Sequence, residues 1–181
     1  MGDVHSAETG LPIVAVISRY DEGLAWARER CQEGWGSVAL ESRPFKFVET
    51  DYYTATMGPD LKKMFLVLAQ PQDVSGLADW KRSTNGWEAD YARQSSHPEP
   101  RPLNLDPGYL TLSKLVLAST KNHAHRIYLR EGIYAELTLQ FRRGVWQELP
   151  WTYPDYRRAD FHQFFGQARQ YLQRLVRQVV D

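Results

Sequence analysis

Carboxylates, phenols and cations recur together at three places in this chain. Asp51 and Tyr52 close one apolar stretch, Asp106 opens an Asp-Pro-Gly triplet, and Tyr153 and Asp155 flank Pro154 after Trp151 and Thr152. Lys121, Arg126 and Glu136 lie between the last two. A carboxylate beside Lys or Arg can act as a general acid or base, and the cations can hold an anionic substrate such as a phosphate ester. Asp51, Asp106 and Glu136 are therefore the candidate catalytic groups. Tyr52, Lys121, Arg126, Tyr128, Tyr134, Trp151, Tyr153 and Asp155 are the candidate ligand-binding groups. Asp51, Asp106 and Asp155 are costly to gather unless cations, a metal or water satisfy them, so their convergence with Lys121 or Arg126 on one cleft would mark a site. The plain alternative is that each caps its own turn.

His123 and His125, two apart, share one face of a strand and with a carboxylate could ligate a metal; the other reading of His125 is a satisfied histidine at the core or its rim. Nothing in the sequence assigns a cofactor. None of the twelve glycines is followed by Lys, which excludes a phosphate loop of the Gly-x-x-x-x-Gly-Lys type. Gly34 and Gly36 fit a dinucleotide spacing but lead from a helix into a strand, the reverse of what a pyrophosphate site needs. A nucleophile elbow, a zincin helix and a kinase signature are all missing.

Which elements must position these groups follows from periodicity. Residues 12–18 read as a strand buried on both faces. Asp21 opens a helix with Leu24, Ala27 and Cys31 on its inner side and Gly34 as its cap. Residues 38–53 read as a hairpin or bent strand and 63–70 as another buried strand. A second helix carries Leu77, Trp80, Thr84, Trp87 and Tyr91 on one stripe. On that helix Lys81, Asn85 and Glu88 form a polar line, which is either part of a site or a solvated face.

Three prolines in residues 95–102 make a loop. After it, 103–109 reads as a strand entering a turn at Asp106-Pro107-Gly108, and 113–121 as a short helix. Residues 125–129 and 133–141 form a hairpin about Glu131, which sets Arg126 opposite Glu136 and Tyr128 opposite Tyr134 on one face, with Ile127 and Leu129 on the other. Residues 145–149 continue the meander, and an amphipathic helix capped by Asp160 ends the chain. The expected class is α+β: two βαββα, ferredoxin-like halves, a mostly antiparallel sheet and a C-terminal amphipathic helix. The chain reads as a single domain, 1–181, with halves 11–94 and 101–181 joined by the 95–102 loop.

The chain has 181 residues, 22 basic and 22 acidic. The balance hides a polarity: residues 1–100 carry 10 Lys or Arg and 15 Asp or Glu, residues 101–181 carry 12 and 7. Such halves can attract each other, or the basic half can hold an anion site. One cysteine permits no internal disulfide and no cysteine-built zinc site, which points to a reducing compartment. No apolar run approaches the roughly 20 residues of a membrane span, and the first ten residues do not read as a signal peptide. A cytoplasmic location without membrane association is the expectation.

Two functions remain open. One is a small anionic ligand, bound, or bound and transformed, in a cleft between the halves. The other is a non-catalytic module for RNA or a protein partner, with Tyr128 and Tyr134 stacking bases, although net neutrality opposes a large nucleic-acid footprint.

The words Asn104-Leu105-Asp106-Pro107-Gly108-Tyr109-Leu110, residues 115–122, His125-Arg126-Ile127-Tyr128-Leu129, Gly132-Ile133-Tyr134-Ala135-Glu136 and Trp151-Thr152-Tyr153-Pro154-Asp155-Tyr156 closely resemble the bacterial and archaeal family known as domain of unknown function 4416. Thr50-Asp51-Tyr52-Tyr53, Met57-Gly58 and Lys81 with Thr84, Asn85 and Glu88 resemble its N-terminal words. The resemblance implies no assigned activity, and the GTP binding attributed to some members finds no support in the glycine pattern here. It also implies a Glu before Met-Gly, where this chain has Thr56.

Overall fold

A computed structural model describes residue 3 and residues 8–50 and 52–180. The first strand, β1 (Thr9–Ser18), is apolar from Leu11 to Ile17 and covered there on both sides. Its Leu11, Ile13 and Ala15 pack with Phe161, Phe164, Phe165, Ala168 and Leu172 of the last helix, α4 (Ala159–Val180). Its Val14 and Val16 pack with Leu24, Ala27 and Cys31 of α1 (Asp21–Trp35) and with Trp87 and Tyr91 of α3 (Leu77–Gln94). Alternation of side chains along a strand thus produces three layers, with α1 and α3 on one face of a sheet and α4 on the other.

Between these lie β2 (Val38–Glu41), β3 (Phe45–Lys46), the short helix α2 (Thr54–Met57), β4 (Lys62–Leu68) and β5 (Gln72–Asp73). After α3 come β6 (Asn104–Leu110), β7 (Lys114–Ser119), β8 (Arg126–Arg130), β9 (Ile133–Arg142) and β10 (Val145–Glu148). The sheet runs β10-β9-β7-β6-β1-β4-β2, with β3 on β4, β5 on β1 and β8 on β9. Every pairing among the described residues is antiparallel. The class is α+β, with an antiparallel sheet and a C-terminal helix as expected. Among the described residues no helix is long and apolar enough to cross a membrane.

Four local expectations are corrected. Residues 113–121 form strand β7, not a helix: Leu115 and Leu117 join the α4 side of the core while Val116 and Ala118 join the α3 side, a period of two. The second half therefore has no helix between β6 and β7, and its element order does not establish ferredoxin-like halves. Asp106-Pro107-Gly108 is not a turn but lies within β6, where Asp106 pairs with Ala15 and Pro107 with Val14. Strand β7 pairs with β6 only from Gly108 onward, so Pro107 has a neighbouring strand on one side, the setting in which a strand tolerates proline. Gly36, at φ 99°, takes the cap position of α1, and Gly34 lies inside the helix. Asp160 sits within the first turn of α4 rather than before it, accepting from the Phe161 N–H at 3.1 Å.

The register of β8 and β9 is as the turn dictates: Arg126 faces Glu136, Tyr128 faces Tyr134, and Glu131 and Gly132 both take positive φ.

Candidate functional site

Strands β6 and β7 pair through only three residues each, Gly108–Leu110 with Leu115–Leu117. Beyond them the two strands part, and the sheet opens into a cleft of about 680 Å³. Asn104 and Asp106 line one wall, Leu117, Ala118 and Ser119 the other. Lys81 and Asn85 of α3, Lys63 at the start of β4, Arg126 and Glu136 of the hairpin, and Tyr153 to Tyr156 complete it, with Phe47, Glu49, Thr50, Tyr52 and Tyr53 alongside.

Arg126 and Glu136 form the most enclosed pair, each side chain only 2% exposed. Arg126 Nε donates to Glu136 Oε2 at 2.8 Å, its Nη1 to Ser119 Oγ at 2.7 Å and to the Lys121 carbonyl at 3.0 Å, and its Nη2 to the Tyr153 hydroxyl. His125 Nε2 lies 3.1 Å from the same Glu136 oxygen, and its ring stacks between His123 and Trp151. At the mouth, Lys121 Nζ donates to the Tyr52 hydroxyl at 2.7 Å and sits 4.0 Å from its ring centroid. That hydrogen bond, with the ammonium's charge, lowers the Tyr52 pKa.

A second network runs from α3 to β6. Lys81 Nζ donates to Asp106 Oδ1 at 3.0 Å and to the Leu105 carbonyl at 2.8 Å, and Asn104 Nδ2 donates to Asp106 Oδ2 at 2.7 Å. Burial alone would push the Asp106 carboxyl up, but Lys81 and the Asn104 hydrogen bond outweigh it and hold it down at about 2. Arg101 Nη2 donates to Glu88 Oε2 at 2.8 Å, and Glu88 Oε1 accepts from the Leu105 N–H at 2.8 Å. Burial raises the Glu88 pKa against the pull of Lys81 and Arg101.

On the floor, Lys63 Nζ donates to Asp155 Oδ2 at 2.5 Å, both side chains buried. The ammonium lies among rings, 4.2 Å from the centroid of Tyr156, 5.3 Å from Phe47 and 5.7 Å from Phe65.

The structure thus brings Tyr52, Asp106, Lys121, His123, Arg126, Glu136, Tyr153 and Asp155 to one cleft. The polar line of α3 is part of it, since Lys81 and Asn85 are in the wall and Glu88 lies behind Lys81. Tyr128, Tyr134 and Trp151 are not in the lining; Tyr128 and Tyr134 form an edge-to-face pair on the hairpin, and Trp151 stacks on His125. Asp51 lies outside the described residues. Thr56, exposed in α2, is not in the lining either. Among the described residues no group of three or more His, Cys, Asp and Glu could hold a metal, so none of them adds a third ligand to His123 and His125.

Lys63, Arg101, Asn104 and Tyr156 belong to the cleft without having been candidates. Lys63 reads as the solvated start of an apolar strand. Its only sequence signal is a charge on the side of β4 that carries Phe65 two residues later.

A family model described as Domain of unknown function (DUF4416) matches residues 8–171. The chain belongs to this family. The match contains every residue that lines the cleft, so the whole site lies within the DUF4416 domain. No curated protein and no solved structure matches the chain.

Proposed function

We propose that the cleft binds a small phosphate-bearing anion between the two halves of the chain, with the carboxylates beside its cations available for acid or base chemistry. The observation that carries this reading is how the hydrogen-bonding capacity of the cleft is spent. Asp106 is taken by Lys81 and Asn104, Asp155 by Lys63, and Glu136 by Arg126 and His125. Glu49 is taken by Arg158. Donors remain beside these pairs. Among the described residues Lys121 uses one of its three N–H groups, Arg126 Nη2 uses one of its two, and the hydroxyls of Thr50 and Thr120 stand in the same lining. Among the described residues the carboxylates of the lining are paired with cations while donors remain beside them, which favours a ligand rich in acceptors. The volume suits a molecule larger than a bare ion, and overall neutrality favours a small anion over a polyanion.

Lys121 is the informative residue because it is exposed and its loss leaves no buried charge behind. A thermal-shift and calorimetric panel of inorganic phosphate and sugar phosphates is expected to stabilise the protein, by about 3 kcal/mol at a hundredfold excess over Kd. Lys121→Met is expected to weaken binding about tenfold without lowering the unliganded Tm. No response to any of these anions would refute the reading.

An RNA or protein partner is the second reading, favoured by the exposed hairpin, where Ile127 is 73% and Tyr128 57% exposed. Titration with single-stranded RNA, compared with Tyr128→Ala, tests it; stacking on that face requires binding to the wild type and its loss in the variant.

A further inference from the structure

Most arginines of the chain pair with a carboxylate, and the exceptions share one end of the molecule. Among the described residues the five arginines without such a partner are Arg142, Arg143, Arg169, Arg174 and Arg177. Arg142 ends β9 and Arg143 opens the turn into β10, while the other three lie on the second half of α4. Arg169 joins the two groups: its guanidinium lies 3.7 Å from the ring centroid of Phe141, and its Nε donates to the Leu112 carbonyl at 2.8 Å. This is the end of the sheet away from the cleft, where β6 and β7 are still paired.

Helical geometry extends the patch. Gln163, Gln167, Gln170, Arg174 and Arg177 recur at steps of three and four, so they form one exposed stripe opposite the apolar side that packs on the sheet. No Asp or Glu lies between Asp160 and Asp181, so nothing within this stripe offsets its arginines. Glu8 is held by Lys114, at the start of β7, at 2.9 Å.

The charge selects a polyanion, and three features select its kind. The apolar side of α4 is already buried in the core, which leaves the helix no face to sink into a lipid surface. The large exposed apolar side chains near the patch are Val145 and Val176 alone, too little for the desolvated centre of a protein interface. The exposed aromatic rings, Tyr52, Tyr128, Trp151 and Tyr153, belong to the cleft and the hairpin, so the patch offers unpaired bases no platform. Guanidinium groups and carboxamides, without rings to hold bases, fit the backbone of a duplex. The helix from Arg169 to Arg177 spans about 12 Å and a duplex carries one charge per about 1.7 Å, so the row reaches several phosphates.

We infer that α4 and the β9–β10 turn form a docking surface for the phosphate backbone of a double-stranded nucleic acid. Whole-chain neutrality does not oppose it, because the neutral total includes the paired arginines and a footprint of at most five phosphates is small. The inference is independent of the cleft.

The test is fluorescence anisotropy of a labelled, mixed-sequence duplex of about 20 base pairs, titrated with the full chain between about 50 and about 200 mM salt. A micromolar Kd is expected at the lower salt, weakening with a log–log slope of about 4, since each contacted phosphate contributes about 0.9. That slope is a loss of about 250-fold across the range. Arg174→Gln with Arg177→Gln is expected to lower the slope by about 2 and to keep the wild-type Tm, because both side chains are exposed and carry no ion pair among the described residues. Arg82→Gln with Arg93→Gln removes the same charge from exposed sites on α3 and is expected to leave the slope unchanged. No binding at the lower salt, a slope under about 2, or equal losses in the two double variants overturns the docking surface. Tighter binding to single-stranded nucleic acid, to poly-glutamate or to vesicles of anionic phospholipid overturns the duplex as its occupant.

Discussion

Replacing Arg126 by Met removes the cation from the most buried ion pair of the cleft and leaves Glu136 without its main partner. At 2.8 Å, and with both side chains 2% exposed, the attraction is about 6 kcal/mol at an effective dielectric constant of about 20. His125 stays beside Glu136, and the freed Ser119 and Tyr153 hydroxyls can reach water in the cleft, so only part of this is lost. The expected cost is about 3–5 kcal/mol, the range for breaking a buried pair from one side. In urea, monitored by the fluorescence of the six tryptophans, the midpoint should fall by about 1–2 M with little change in slope. The double variant Arg126→Met with Glu136→Met removes the stranded charge and should recover at least about 2 kcal/mol of the loss. A single variant that loses under about 1 kcal/mol, as an exposed pair would, or a double variant as unstable as the sum of the singles, would contradict a buried, stabilising Arg126–Glu136 pair.

Asp106 gives a pH dependence. Its folded carboxyl sits at about 2 against an ordinary 3.8, so it contributes stability, about 2 kcal/mol, that is present above the ordinary value and lost as pH falls toward 2. Glu88 is shifted the other way, so the contribution should be read as the difference between wild type and Asp106→Asn, which should narrow across that window. Gly108→Ala should destabilise by about 3 kcal/mol or more in thermal unfolding, because a Cβ there would lie 2.2 Å from the Val116 carbonyl oxygen in the paired strand. Cys31 is fully buried and its thiol is pushed up to about 12, so iodoacetamide at pH 8 should label it only after unfolding.

The elements that sequence periodicity defines well are those with a single dominant environment. β1 and β4 are covered on both faces, and α4 has one apolar stripe, so their patterns leave no second solution. The hairpin was legible down to its register because Glu131-Gly132 supplies the two positive φ values of a tight turn. Strand β7 was not, since a run of four apolar residues between Ser and Lys fits a helix or a strand equally well. Its pairing with β6 and β9 decides, and that is tertiary. Asp-Pro-Gly reads as a turn by local chemistry, but the pairing of β1 along β6 overrides it. Of the cleft, the hairpin pair and the Asp and Tyr words could be found because they differ in type from their neighbours. Lys63 and Tyr156 could not, because charge at a strand end and an aromatic before a helix are ordinary until the opening between β6 and β7 places them around one space.

Anion binding in the cleft is located most directly by a two-dimensional ¹⁵N NMR titration with a sugar phosphate. Saturable shifts are expected at the amides of Tyr52, Ser119, Lys121 and Arg126, absent in Lys121→Met. Shifts confined to Tyr128–Tyr134, or no saturable shift anywhere, would contradict it.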